Sequence, residues 1–339
     1  MTPSRRIGVI VIGRNEGERL RRCLSELPGG VTTVYVDSGS TDGSCAVATA
    51  LGIPAISLAA DKKFTAARGR NAGLAWFAQL QDRPDYVQML DGDCEMGFDW
   101  LRAGIAALEA ESSLAAVFGR LRERHPEHSI YNQMCDDEWN VPVGLCRSVY
   151  GNALFRFAPL LASGGYDESL IAGEETDLCQ RIARDGWIFR RIDAEMALHD
   201  AAITRFSQFW VRARRAGYAF AEHVGRNGGD SDPDWRKAMY RLLVWGGALP
   251  FVIGLLVVIG TVTGAVGAIA IAAFLMVLYP LQWLRMALRL AKSGKNLTFA
   301  SLGSALNIVC KFAQFSGAMQ YFMDKATARA SGIIEYRAS

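Results

Sequence analysis

Two aspartates one residue apart, Asp91 and Asp93, close the apolar run that begins at Tyr86. In an extended chain, residues two apart project to the same side, so both carboxylates can aim at one point past the strand end. Hard divalent cations take oxygen ligands and commonly bridge carboxylates to a substrate diphosphate. Asp-Gly-Asp is also good turn chemistry, and by itself the pair leaves both readings open.

The elements around the pair must deliver it to a common edge. Residues 1–235 alternate strand-like and helix-like stretches. Ile7–Ile12, Thr33–Val36, Tyr86–Leu90 and Ala115–Gly119 read as strands. Glu16–Leu27, Ser44–Leu51, Thr65–Gln81 and Trp100–Glu111 read as helices. This order predicts an α/β fold, a doubly wound and mostly parallel sheet with helices on both faces. Ligands on such sheets sit at the carboxyl ends of the strands. The first three strands end in Gly13-Arg14-Asn15-Glu16, Asp37-Ser38-Gly39-Ser40-Thr41-Asp42 and Asp91-Gly92-Asp93, all polar. The dinucleotide fingerprint and the P-loop are both absent.

Composition narrows the class. The formal net charge of +3 over 339 residues is too small to favour nucleic acid as a partner. The seven cysteines are scattered and form no CxxC pair, which fits a reducing compartment and argues against a disulfide framework or a zinc site. The run Ile7–Ile12 is too short for a signal peptide and has no cleavage pattern.

The C-terminal third is different. No charged residue occurs in the 43 residues from Leu242 to Leu284. A spanning helix needs about 20 apolar residues. A single helix of that length would be roughly 65 Å long, twice a bilayer core. Two spans joined near Thr261-Val262-Thr263-Gly264 are the economical solution. A buried soluble hairpin is the competing one. Arg236, Lys237 and Arg241 precede the first span, and Arg285, Arg289, Lys292 and Lys295 follow the second. That places both outer ends on the cytoplasmic side. From Phe299 to Phe322, Ala305, Ile308, Phe312, Phe315, Met319 and Phe322 recur at helical spacing, opposite a polar stripe of Ser304, Asn307, Lys311 and Gln314. Lys311 disfavours a third span, so this amphipathic helix is expected at the membrane surface or packed under the soluble domain. The expected organisation is a domain at 1–235, a transmembrane hairpin at 236–290, and an amphipathic helix with a tail at 291–339. Ser339 is then cytosolic.

The runs Val9–Glu16, Val36–Gly43, Arg68-Gly69-Arg70-Asn71-Ala72-Gly73 and Asp91-Gly92-Asp93 occur in the order seen in family 2 glycosyltransferases. Gly164-Gly165-Tyr166-Asp167-Glu168 and Gly173-Glu174-Glu175-Thr176-Asp177-Leu178 resemble that family's acceptor-side motifs. The match covers roughly residues 5–220. It implies the GT-A fold and an inverting, metal-dependent enzyme using a nucleotide sugar.

The resemblance also implies roles. Arg14, Asn15, Glu16, Asp37, Arg68 and Asn71 would line the nucleotide pocket, with Arg70 close by and Asp37 facing a uracil-like N–H. Asp91 would face the ribose or the metal, and Asp93 would be the main metal ligand. His199 would complete a site for Mn²⁺ or Mg²⁺, with the imidazole tilting it to Mn²⁺. The family's usual Glu-Asp is Glu174-Glu175 here. Glu175 is taken as the base by position, with Asp177 and Glu174 as alternatives. Carboxylates also suit a helix N-terminus for dipole reasons alone. Processive members carry Gln-x-x-Arg-Trp; this chain has Gln208 and Arg212 with Trp210 displaced. Arg212 and its basic neighbours could hold the departing diphosphate or face anionic lipid. Glu138 and Trp139 could shape an acceptor pocket or lie in a surface loop.

Together these residues predict a multi-pass protein of the cytoplasmic membrane with a cytosolic catalytic domain. The donor would be a nucleotide sugar, most simply UDP-linked, and the acceptor a lipid-linked saccharide of surface polysaccharide assembly. A processive synthase needs more channel wall than two spans supply. A sugar nucleotidyltransferase would carry a Gly-rich first loop. A non-catalytic membrane scaffold would have no need for Asp93, Glu175 and His199 together.

Overall fold

The computed structural model describes residues 5–327. The expectation for Ser339 falls outside them. The chain divides into two compact units, residues 1–126 with 135–202, and residues 127–134 with 203–339. The sequence-derived boundary at 235 lies inside the second.

The first unit is built on nine strands: β1 (Ile7–Gly13), β2 (Thr32–Asp37), β3 (Ala55–Ser57), β4 (Tyr86–Asp91), β5 (Cys94–Met96), β6 (Leu114–Glu123), β7 (Gly144–Cys146), β8 (Leu154–Arg156) and β9 (Ile188–His199). Their order is β3-β2-β1-β4-β8-β6-β9-β5, with β7 paired to β9. The run β3-β2-β1-β4 is parallel, as the alternation of strands and helices requires. Beyond β4 the sheet is mixed. β8 is antiparallel to β4 and β6, and β5 and β7 are antiparallel to β9, while β6 and β9 run parallel. The short strands β5, β7 and β8 have too few residues to show a period.

The helices of this unit are α1 (Glu18–Ser25), α2 (Ser44–Ala50), α3 (Ala66–Gln79), α4 (Trp100–Ala110), α5 (Ile130–Glu138, shared with the second unit), α6 (Phe157–Ala162) and α7 (Glu174–Arg184). β1 reads as an unbroken apolar run because Val9, Ile10 and Val11 are wholly buried. Helix α3 lies close against it, with Gly73 over Ile10 and Phe77 over Gly8. The buried Gln88 of β4 accepts the Trp100 indole N–H at 2.7 Å and donates to the Met89 carbonyl, so this core polar group is satisfied.

The second unit is helical: α8 (Phe206–Asn227), α9 (Pro233–Leu242), a π-helical turn at Leu243–Ala248, α10 (Leu249–Thr263), α11 (Val266–Met276), α12 (Leu278–Lys292) and α13 (Leu297–Ala326). α9 through α10 form one helix of 31 residues, and α11 with α12 one of 27. Both are long and apolar enough to cross a membrane, and they meet at Gly264, whose φ of +70° makes the turn. Phe251, Val258, Val262 and Phe274 are exposed along them.

Helix α13 is present where its pattern places it, but its buried face is not the phenylalanine stripe. Gly303, Ser304, Cys310, Ala313, Gly317, Ala318 and Tyr321 are buried, whereas Phe312, Phe315 and Met319 are half-exposed and Phe322 is exposed. Small residues let two backbones touch. A Cβ on Gly317 would collide with the Arg214 carbonyl oxygen, and one on Gly217 with that of Gln314. Gly246 meets the Lys311 carbonyl in the same way. Lys311 itself donates to Gln314 Oε1 at 2.9 Å.

Candidate active site

Helix α3 buries Ala67, Arg70, Leu74 and Phe77 along one stripe, which carries a guanidinium into the core register. Arg70 is 3 % exposed. Its Nη1 donates to Glu174 Oε1 at 2.9 Å and Glu175 Oε1 at 2.8 Å, and its Nη2 to Asp91 Oδ1 at 3.2 Å. The Tyr166 ring lies 5.4 Å from the guanidinium carbon. Burial pulls the Arg70 pKa down, but Glu175, Asp91 and Glu174 outweigh it and keep the group charged. One cation among three carboxylates leaves excess negative charge. Burial, and then the charge of Glu174, push the Glu175 carboxyl up to about 7 even though Arg70 opposes the shift.

The cluster packs directly against Gly151. A Cβ there would stand 2.6 Å from Arg70 Nη2, 3.2 Å from Glu175 Oε1 and 3.4 Å from Asp91 Oδ2. Next to it, Asn152 Oδ1 accepts the Asp91 backbone N–H at 2.8 Å, fixing the end of β4.

Asp93 and His199 form a second centre. β5 pairs antiparallel with the end of β9, setting Cys94 opposite His199. His199 Nε2 then lies 2.9 Å from Asp93 Oδ2, and the Cys94 sulfur completes a group whose ligand atoms all lie within 4.8 Å of one another. The Trp139 indole packs on the His199 ring at 4.7 Å between centroids. The Asp200 N–H donates to the Asp93 carbonyl, and the buried Glu123 accepts the Ala201 N–H, so the chain after His199 is tied down. A carboxylate and an imidazole at this separation are donors suited to Mn²⁺ or Mg²⁺, with open positions left for substrate oxygens. Asp91 stands apart from this pair, on Arg70 and Asn152.

The other expected residues divide by what holds them. Asp37 is 3 % exposed and accepts from Tyr35 Oη and from the Gly39 and Ser40 amides, closing its own turn. Asn15, at φ +54°, accepts the Thr41 N–H at 2.7 Å and joins the first two strand ends. Glu16 lies over Gly13 and Gly92 and pairs with Arg19 at 2.9 Å. Arg68 donates to the Lys62 and Ala59 carbonyls and pairs with Asp61, so it staples the 59–63 loop. Arg14 and Arg68 flank the Phe64 ring. Asn71 donates to the Tyr166 carbonyl at 2.8 Å and accepts the Tyr166 N–H at 2.8 Å, locking two of the sequence motifs together. Asp177 turns to Arg181 at 2.9 Å rather than to Arg70. Glu138 is exposed at the end of α5, whereas Trp139, in the turn that follows, is buried against His199 rather than on the surface. In the second unit, Gln208 caps α8 by accepting the Thr204 and Arg205 amides, and Arg212 follows one turn later, half-buried.

Sequence reasoning underrated Arg70 and missed Cys94, Gly151 and Asn152. The signal for Arg70 was available: it is the one charge in the stripe of Ala67, Leu74 and Phe77. The other three come together only through strand pairing.

Residues 8–154 match the family model described as glycosyl transferase family 2. The match covers most of the first unit. No curated protein matches the chain. Among solved structures, mannosyltransferase PcManGT from Pyrobaculum calidifontis, in complex with GDP-Man and Mn²⁺, superposes with a TM-score of 0.63 at 18 % identity, over 96 % of this chain and 89 % of that one. S. aureus TarS 1–349 follows with a TM-score of 0.49 at 13 % identity, over 93 % and 91 % of the two chains. At 18 % identity the likeness to the P. calidifontis enzyme is one of fold, and with the family match it identifies the first unit as a GT-A domain.

Proposed function

We propose that this chain is a membrane-anchored inverting glycosyltransferase that moves a sugar from a nucleotide sugar to a hydroxyl of a membrane-associated acceptor. The observation that carries this reading is the convergence of Arg70, Glu174, Glu175 and Asp91 around Gly151. The GDP-Man and Mn²⁺ bound to the P. calidifontis neighbour support a nucleotide-sugar donor and a divalent metal. The two long apolar helices support an acceptor met at the membrane, most simply a lipid-linked saccharide.

Glu175 accepts the acceptor proton as its oxygen attacks the anomeric carbon. A carboxyl held near 7 is a better proton acceptor at neutral pH than an ordinary one. Arg70 fixes Glu175 Oε1 in place and separates it from Glu174. Attack on the face opposite the leaving diphosphate inverts the centre, through an oxocarbenium-like transition state. Asp93 and His199 would hold the metal, which supplies positive charge to the departing diphosphate when bound. Gly151, with no side chain, lets the Arg70 guanidinium and Glu175 lie against its backbone. Asn15, Glu16 and Asp37 shape the nucleotide pocket by fixing its loops, and Arg212 is assigned to the diphosphate.

The test is a panel of UDP- and GDP-sugars with the purified chain, with product anomers read by NMR. Inverted product, loss of turnover in EDTA and loss of Mn²⁺ binding in Asp93→Ala are expected. Full activity in EDTA or a retained anomer would overturn the reading.

A further inference from the structure

We propose that the first turns of the 31-residue apolar helix form a binding site for the phosphate of an anionic membrane phospholipid. Pro233, Arg236, Lys237, Tyr240 and Arg241 recur at helical spacing on one exposed face of α9 and line a shallow, open cleft of about 370 Å³. Three cations line it and no carboxylate does.

The partners of these cations are specific. Arg236 donates Nη1 to the Gly229 carbonyl at 2.9 Å, which steadies its side chain and leaves the other guanidinium nitrogens for a ligand. Lys237 shares its ammonium with Asp234 at 3.0 Å, outside the cleft lining. Arg241 makes no ion pair among the described residues. With Asp234 counted, the group still carries a net charge of +2. A zwitterionic headgroup would bring its own cation against these side chains, whereas a phosphate monoanion with an uncharged headgroup would not.

The residues on the C-terminal side of the cleft specify a lipid. Tyr240 is 69 % exposed, with an apolar ring and a polar tip suited to the headgroup boundary. Charges stop at Arg241. Phe251, Leu255, Val258 and Val262 are then 71 %, 48 %, 57 % and 79 % exposed along the same helix. Phe251 lies about 15 Å beyond Arg241 at the helical rise, the depth of one leaflet's hydrocarbon. A phosphate in the cleft would therefore lay its acyl chains along exposed apolar surface. The proposal rests on reading this helix as a membrane span.

The test uses the full chain in detergent and native mass spectrometry with phosphatidylglycerol and phosphatidylcholine of identical acyl chains. Wild type should retain phosphatidylglycerol preferentially. Arg241→Gln should weaken retention about fivefold and Arg236→Gln/Arg241→Gln about 25-fold, while Arg236→Lys/Arg241→Lys should keep most of it. Arg241→Gln removes no contact that holds the fold. Equal retention of the two lipids, or no effect of the glutamine variants, would overturn the site. Displacement of the lipid by inorganic phosphate at equal concentration would show a free-phosphate site and overturn the lipid assignment. Carbonate extraction of membranes checks the span separately. Release would overturn span and site together, whereas retention without headgroup preference would overturn the site alone.

Discussion

Arg70 and Gly317 both sit where two elements meet, and they hold their units together in opposite ways. Around Arg70, order comes from atoms that reach: one guanidinium spans α3, the start of α7 and the end of β4. At Gly317, order comes from an atom that is missing, since a Cβ would collide with the Arg214 carbonyl on α8. The family 2 unit should therefore be injured by removing atoms and the helical unit by adding them. The first kind of contact can also do chemistry, because its groups carry charge. The second can only pack.

The sharpest probe of that contrast is Glu175→Gln, which removes a charge and almost no volume. Transfer should fall about 10²–10⁴-fold, with donor binding and melting temperature retained. An active Glu175→Gln alongside a dead Glu174→Gln would move the base by one residue. Arg70→Ala comes next. It strands three carboxylates in a buried site and should cost about 3–5 kcal/mol in denaturant unfolding, with Arg70→Lys losing less. Gly317→Ala should cost the helical unit about 1–3 kcal/mol by overpacking, read as a lowered melting temperature in detergent. Ser316→Ala, on the adjacent exposed position, should be nearly silent. If Gly317→Ala is silent as well, the distinction between the units fails.

The remaining probe is pH. With the Glu175 carboxyl at about 7, kcat/KM should climb as pH rises towards 7 and level off above it. Stability should move the other way. The folded carboxyl keeps its proton to higher pH than the unfolded one at 4.5, so its contribution declines as pH rises from 4.5 to about 7. Glu175→Gln should abolish both trends.

What the sequence made legible depends on the range of the physics involved. The parallel strands β1, β2 and β4 and their polar ends were readable because a buried strand and its loop are local patterns. Asp93 with His199 was readable from residue type and the family resemblance. The mixed half of the sheet was not, since the three-residue strands β5, β7 and β8 exist only through their partners. Arg68 and Arg70 are two residues apart in one motif, yet the helix turns one to a loop and the other inward. In α13 the period was legible, whereas the face of small residues packed against α8 was not. Hydrophobicity marks phenylalanine as the core residue, whereas close backbone approach selects glycine and alanine.

Gly151 has a consequence for how this protein can change over generations. Its missing side chain and the Arg70 guanidinium compete for one space, 2.6 Å apart. Alanine at 151 should therefore crowd Arg70 and, at 3.2 Å, Glu175, and it should be better tolerated once Arg70→Lys has shortened that arm. A lineage would then pass through the two changes more easily in one order than in the other.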